Sequence, residues 1–300
     1  MSQTTPSPVP VILDTDIGSD IDDTWALAML LRSPELDVKL IVSSTGDTTY
    51  RAKIVCKLLE VAGRTDIPVA IGIPEEEDED TAKNQAVWVA DYDLNQYPGK
   101  LYTNGIVALT DALQSATEPT TLMCIGPLTN IPPVLEQAPY VASNTRFVGM
   151  HGSIAKNYNG QMGAIPEYNV RHDVKACQAV FAASWREMII TPLDTCGMVM
   201  LRDAKYQAIV ESSDPLLKAV IENYHIWNGG PAKQSSILFD TVAIHLAYSR
   251  AFLRVGELGV RITDDGYTIL EDEGRPTQIA IDWNDLDGFE NALVQRLTQV

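Results

Sequence analysis

The sequence predicts an α/β protein: one domain on an open, mostly parallel, Rossmann-like sheet flanked by helices, with additional helices and strands towards the C-terminus. Three observations predict it. Short branched apolar runs alternate with helical stretches, the spacing of parallel strand–helix–strand units. Several of those runs end in acidic or glycine-containing turns, the edge at which open parallel sheets bind ligands. No Pro/Gly/Ser-rich linker divides the 300 residues, enough chain to bury one large core over 1–300.

The organising stretch is Val9-Pro10-Val11-Ile12-Leu13, which runs into five aspartates within ten positions: Asp14, Asp16, Asp20, Asp22 and Asp23. An apolar helical pattern follows at Trp25, Leu27, Ala28, Leu30 and Leu31, stopping at Ser33-Pro34. Carboxylates in a helix's first turn are favoured by the macrodipole, so one or two would serve as caps. Five are too many for capping. Grouped like charges repel unless a cation sits among them, and an all-oxygen set selects a hard ion such as Ca²⁺ or Mg²⁺.

Further along, 38–42 reads as a strand ending at Ser43-Ser44-Thr45-Gly46-Asp47, followed by a helix over 49–62 and a strand over 68–71. Residues 75–99 read as a long polar, mobile loop with a short helix, poised as a lid. A helix is expected over 103–116, then strands over 121–125 and 146–149, the second leading into Met150-His151-Gly152. A Gly/Asn-rich loop over 153–166 precedes a helix over 173–183 and a strand over 188–191. Residues 203–250 are mainly helical around the turn Asn228-Gly229-Gly230-Pro231. Antiparallel or mixed strands over 260–281 and a closing helix over 285–297 complete the chain.

A net charge of −18 argues against a basic nucleic-acid-binding surface. The run Glu75-Glu76-Glu77-Asp78-Glu79-Asp80 is most simply a solvated loop, because contiguous carboxylates lack the spacing of a metal cage. Residues 1–8 read as a flexible tail without signal-peptide features, and no apolar run is long enough to cross a bilayer. Cys56, Cys124, Cys177 and Cys196 are widely spaced in apolar patterns, as expected for reduced, buried thiols; a cytoplasmic location is the expectation.

Asp14-Thr15-Asp16-Ile17-Gly18, followed by Asp22-Asp23, resembles the N-terminal signature of the inosine–uridine-preferring nucleoside hydrolases, which usually read Asp-x-Asp-Pro-Gly-x-Asp-Asp-Ala. Here Ile17 stands at the Pro, Thr24 at the Ala, and two extra residues precede the Asp pair, so either Asp20 or Asp22 takes the first paired position. Three later segments are similar to the same family in the same order: Gly126-Pro127-Leu128-Thr129-Asn130, Glu167-Tyr168-Asn169 and Phe239-Asp240-Thr241.

The resemblance implies a calcium-dependent enzyme of nucleoside salvage, a homo-oligomer, that hydrolyses the N-glycosidic bond of ribonucleosides. Its ion would be held by Asp16, Asp23, the Ile125 carbonyl and Asp240, with Asp16 as general base. Ribose would be held by Asp20 or Asp22, with Asp47, Met150, Glu167 and Asn169. Two departures bear on the chemistry. Asp47 stands where Asn is common, adding a negative charge suited to a more cationic substrate or to a different ribose contact. Phe239 replaces a histidine that protonates the leaving base in some members. His151 or His225 would then be the acid, or the base would stack on Trp227 or Tyr224.

Rival readings are a haloacid-dehalogenase-type phosphatase, disfavoured by Gly18 after the Asp pair, and a Ca²⁺-dependent ribose- or nucleoside-binding protein without turnover. A third is a hydrolase of a related non-nucleoside riboside.

Overall fold

In the computed structural model, which describes residues 7–76 and 82–299, one ten-stranded sheet runs through the molecule. Its strands are β1 (Val9–Thr15), β2 (Leu36–Ser43), β3 (Val69–Ile71), β4 (Leu101–Tyr102), β5 (Thr120–Cys124), β6 (Thr145–Met150), β7 (Glu187–Thr191), β8 (Leu253–Ile262), β9 (Thr268–Leu270) and β10 (Arg275–Trp283). Their spatial order is β4-β3-β2-β1-β5-β6-β7-β10-β8-β9. All pairings from β4 across to β10 are parallel; β8 lies antiparallel against β10, and β9 against β8.

β1 sits near the middle because it is apolar on both faces. Val11 and Leu13 face one core layer with Trp25 and Met29, while Ile12 faces the other with Leu40 and Leu122. Successive strands are added outward from β1 on one side (β2, β3, β4) and from β5 on the other (β6, β7). The order therefore reverses between β1 and β5, and a crevice opens beyond their carboxyl ends.

The alternation of strands and helices follows the expected α/β plan. β4 is only two residues long, too short for a periodic signal. The helix Ile131–Gln137 carries Pro132 and Pro133 in its first turn, which has no use for their missing N–H groups. At the C-terminal end, β10 passes back into the sheet between β7 and β8. All four cysteines are free and buried. Among the described residues no helix is long and apolar enough to cross a membrane. The expected tail over 1–8 is described only from Ser7, and 77–80 of the acidic run lie outside the described residues.

Asn130 fastens the crevice from behind. Its Nδ2 donates to Asp14 Oδ2 (2.8 Å) and to the Ser43 carbonyl (3.1 Å), and its Oδ1 accepts from Ile73 N (2.9 Å). One fully buried amide thus joins the ends of β1, β2 and β3 to the turn after β5. Replacing Asn130 with Ala leaves Asp14 Oδ2 and Ile73 N without this partner, while the Ser43 carbonyl keeps its bond from Gly72 N, and is expected to destabilise the protein by about 2–4 kcal/mol in urea unfolding.

Candidate active site

The turns after β1, β5 and β6 meet the starts of three helices around one cavity of about 330 Å³. The helix Asp22–Leu31 carries Asp22 and Asp23 in its first turn, the helix Phe239–Tyr248 carries Asp240, and the short helix Tyr168–His172 carries Asn169. Asp16, Asp20, Asp22, Asp23, Ile125, Met150, Glu167, Asn169, Phe239 and Asp240 all line this cavity.

The loop after β1 is held in an unusual way. Every carbonyl from Asp16 to Asp20 accepts a hydrogen bond from a side chain remote in sequence. Buried Arg51 donates Nη1 to the carbonyls of Asp16 and Ile17 (the latter 3.1 Å), Nε to Thr45 O (2.6 Å) and Nη2 to Ser19 Oγ (2.9 Å). Tyr50 Oη donates to Gly18 O (3.0 Å), Asn84 Nδ2 and Trp227 Nε1 to Ser19 O (2.8 and 3.1 Å), and Gln85 Nε2 to Asp20 O (3.1 Å). Gly18, at φ +122° and pressed against the Tyr50 ring, has no room for a side chain. With the carbonyls turned outward and tied, the aspartate side chains face the cavity.

Those side chains crowd one another. Asp22, Asp23 and Asp240 are buried, and each offers one carboxylate oxygen such that all lie within 4.8 Å of one another. Burial pushes the pKa of all three well above the usual carboxylate range, and the charges of neighbouring carboxylates, Asp16 among them for each, add to it. Asp16 is raised by burial too, with Arg51 opposing. Its carboxylate packs directly on Gly126, where a Cβ would collide with it. Thr15 Oγ1 donates to Asp23, and Asp240 N to Asp22 Oδ2 (3.3 Å). Such an oxygen-only, buried and under-neutralised set fits a hard divalent cation.

Also lining the cavity, Glu167 caps its helix. It accepts from Asn169 N (2.8 Å), Val170 N (3.3 Å) and Gly152 N (2.9 Å), and burial outweighs those bonds to raise its pKa to about 7. Asn169 Nδ2 bridges the carbonyls of Ile125 (3.1 Å) and Met150 (2.9 Å), locking the ends of β5 and β6 together.

A family model described as inosine-uridine preferring nucleoside hydrolase matches residues 11–293. The chain belongs to this family. A non-specific ribonucleoside hydrolase, RihC, from Klebsiella pneumoniae is 29% identical over 302 residues, covering 94% of this chain and 96% of that protein. Among solved structures, a plant nucleoside hydrolase, PpNRh1, superposes with a TM-score of 0.81 at 22% identity over 98% of this chain and all of the other. The inosine-uridine preferring nucleoside hydrolase from Bacillus anthracis gives 0.77 at 19% identity, covering 96% and 99%. At those identities the two structures speak for the fold.

As a nucleoside hydrolase the chain is an N-glycosidic-bond hydrolase by class, and several expected site residues need correcting. Asp47 is not at the cavity: it caps the helix Thr48–Val61 through Tyr50 N (2.9 Å) and pairs with Lys83 (2.6 Å). His151 is fully buried beneath the cavity floor, with Nε2 against Gly126 O (3.2 Å) and its ring among Phe147 and Phe181. Burial lowers its pKa to about 3, so the ring is uncharged at neutral pH and offers no imidazolium proton. Trp227 stacks on Tyr224 and spends its indole N–H on the loop; neither these two nor His225 lines the cavity. The segment after the acidic run acts as a brace through Asn84 and Gln85, with Trp88 and Val89 packed in the core, rather than as a lid. The 153–166 loop supplies Tyr158, and the helix after Glu167 supplies Tyr168 and Arg171. Lone residues in a Gly/Asn-rich loop give no periodic signal; Tyr168 alone was legible, inside the Glu167-Tyr168-Asn169 segment.

Arg51→Met is expected to lower the melting temperature by several degrees and to cut kcat by about tenfold or more, because the loop carbonyls lose their clamp. Steady-state kinetics beside thermal melts separate the two effects. Glu167 carries a raised folded pKa, so its contribution to stability is complete below its unfolded value and is lost as pH rises through about 7. Metal-free protein is therefore expected to lose on the order of 3 kcal/mol between roughly pH 4.5 and 7 from this group, and Glu167→Gln to flatten that part of the profile.

Proposed function

We propose that this chain hydrolyses the N-glycosidic bond of ribonucleosides, releasing ribose and free base, with a calcium ion bound at the aspartate cluster. The observation that carries the reading is the lining of a single cavity by Asp16, by the cluster Asp22, Asp23 and Asp240, and by Glu167 and Asn169.

Asp16, Asp23, Asp240 and the Ile125 carbonyl would hold the ion. Ile125 O keeps a second lone pair free beside its bond from Asn169. When bound, the ion supplies charge that acidifies a water and grips vicinal ribose hydroxyls. Asp16 takes the proton from the attacking water as it adds to C1′, while positive charge develops on the sugar. Asp22 fills the paired-aspartate position, since it is buried beside Asp23 and Asp240, whereas Asp20 stands at the solvent-exposed mouth. Asp22, Glu167 and Asn169 would contact ribose hydroxyls and Met150 the sugar's apolar side. A missing hydroxyl would leave a buried carboxylate unpaired, which favours ribose over deoxyribose.

Phe239 at the cavity wall favours one second reading, a calcium-dependent ribose-binding protein without turnover. 4-Nitrophenyl riboside separates the two because its leaving group departs without protonation: release of ribose supports the hydrolase, and binding without release the alternative. Asp16→Asn is expected to lower kcat by about 10³-fold or more with an unchanged melting curve; undiminished turnover would overturn its role. EDTA is expected to abolish activity, with Ca²⁺ restoring it better than Mg²⁺.

A further inference from the structure

Two features of the cavity are not explained by holding an ion and a ribose. The first is a carboxylate left over. Asp22, Asp23 and Asp240 crowd together, Asp16 acts on them by its charge, and Glu167 is held by three backbone N–H groups. Asp20, contributed by the two extra residues ahead of the Asp22-Asp23 pair, lines the cavity at its open mouth. It has only the Ile21 N–H on its Oδ1 (2.7 Å) and forms no ion pair among the described residues. Six carboxylates line the cavity against one guanidinium, that of Arg171.

The second feature is an aromatic wall where a proton donor would stand. Phe239 starts the helix that carries Asp240 and meets Tyr158 edge to face, ring centroids 5.8 Å apart. Tyr158 is half open to solvent at the mouth, and the charges of Glu167, Arg171 and Asp20 all reach it. No imidazole lines the cavity among the described residues, and His151 is sealed below it.

We infer that the preferred aglycone is a positively charged N-heterocycle, a pyridinium or an N7-alkylated purinium, seated against Phe239 and Tyr158 with Asp20 as its counter-charge. Aromatic faces attract such a cation, and Asp20 supplies the charge that a neutral base would leave unused. The chemistry then needs no acid. The C1′–N bond breaks with its electron pair going to the ring nitrogen, which cancels the ring's charge, so the base leaves neutral. Water forms the C1′–O bond and gives up one proton, to Asp16. Riboside cation plus water becomes ribose, neutral base and a proton.

This inference rests on the ribohydrolase reading, and the test keeps the two apart. Initial rates are measured with nicotinamide riboside, inosine, uridine and 4-nitrophenyl riboside, and the reduced dihydronicotinamide riboside serves as a neutral isostere in competition. Nicotinamide riboside is expected to exceed inosine and uridine by about 100-fold or more in kcat/KM, and its KM to lie about tenfold below the inhibition constant of the dihydro form. Asp20→Asn is expected to reduce the nicotinamide-to-nitrophenyl ratio of kcat/KM by about tenfold. If nitrophenyl riboside is hydrolysed while the charged and neutral ribosides bind and react alike, or Asp20→Asn leaves that ratio unchanged, the charge inference is overturned and the hydrolase stands. If no riboside is hydrolysed, both fall.

Discussion

Burying several carboxylates within a few ångströms of one another is the constraint on which this molecule depends. In isolation each would resist ionisation, and together they resist it more. The fold meets the cost from the outside. Donors from three separate segments seize the carbonyls of the acidic loop: Tyr50 and Arg51 from one helix, Asn84 and Gln85 from the brace, and Trp227 from another helix, while Asn130 holds the Asp14 carboxylate from behind. Arg51 is the keystone of that set. It is a fully buried guanidinium whose charge lies under the loop without neutralising it by direct pairing with a carboxylate. The acids stay exposed to the cavity and the backbone stays fixed, a combination that suits a bound cation.

The remaining lining of the cavity uses the same economy of parts. Glu167 and Asn169, two residues apart, each perform a structural task with the atoms turned away from the cavity. One satisfies the free N–H groups of its own helix and of Gly152, the other ties the ends of β5 and β6. Both side chains are therefore held in fixed orientations where they line the cavity.

Much of this was legible in the sequence because β1 and its acidic turn carry two strong signals at once: a run apolar on both faces and an improbable density of one charge. The parallel plan and the cavity edge follow from it, while the grouping of Asp16, Asp22, Asp23, Glu167, Asn169 and Asp240 was implied by the family resemblance. Illegible were the features that depend on distance through space. Asp47 looks like a site residue at a strand end but is turned aside by a helix N-terminus and Lys83. His151 follows a strand end equally well, and only packing reveals that its ring points down among Phe147 and Phe181 rather than into the crevice. Arg51 sits in an ordinary amphipathic helix, and nothing in the period of that helix marks it as a clamp. Asn84 and Gln85 follow a polar stretch that reads as loose, since the bonds that anchor them reach some sixty-five residues back.

The return of β10 into the sheet sets the timetable of assembly. β7 precedes β8 in the chain, yet the two never touch as neighbours; β10 lies between them, parallel to one and antiparallel to the other. During synthesis the β8–β9 hairpin emerges with no edge to join, and β7 ends the parallel sheet with an open row of N–H and C=O groups. Both vacancies are filled in one step when residues 275–283 leave the ribosome, so a nascent chain lacking its last segment presents two sticky borders at once.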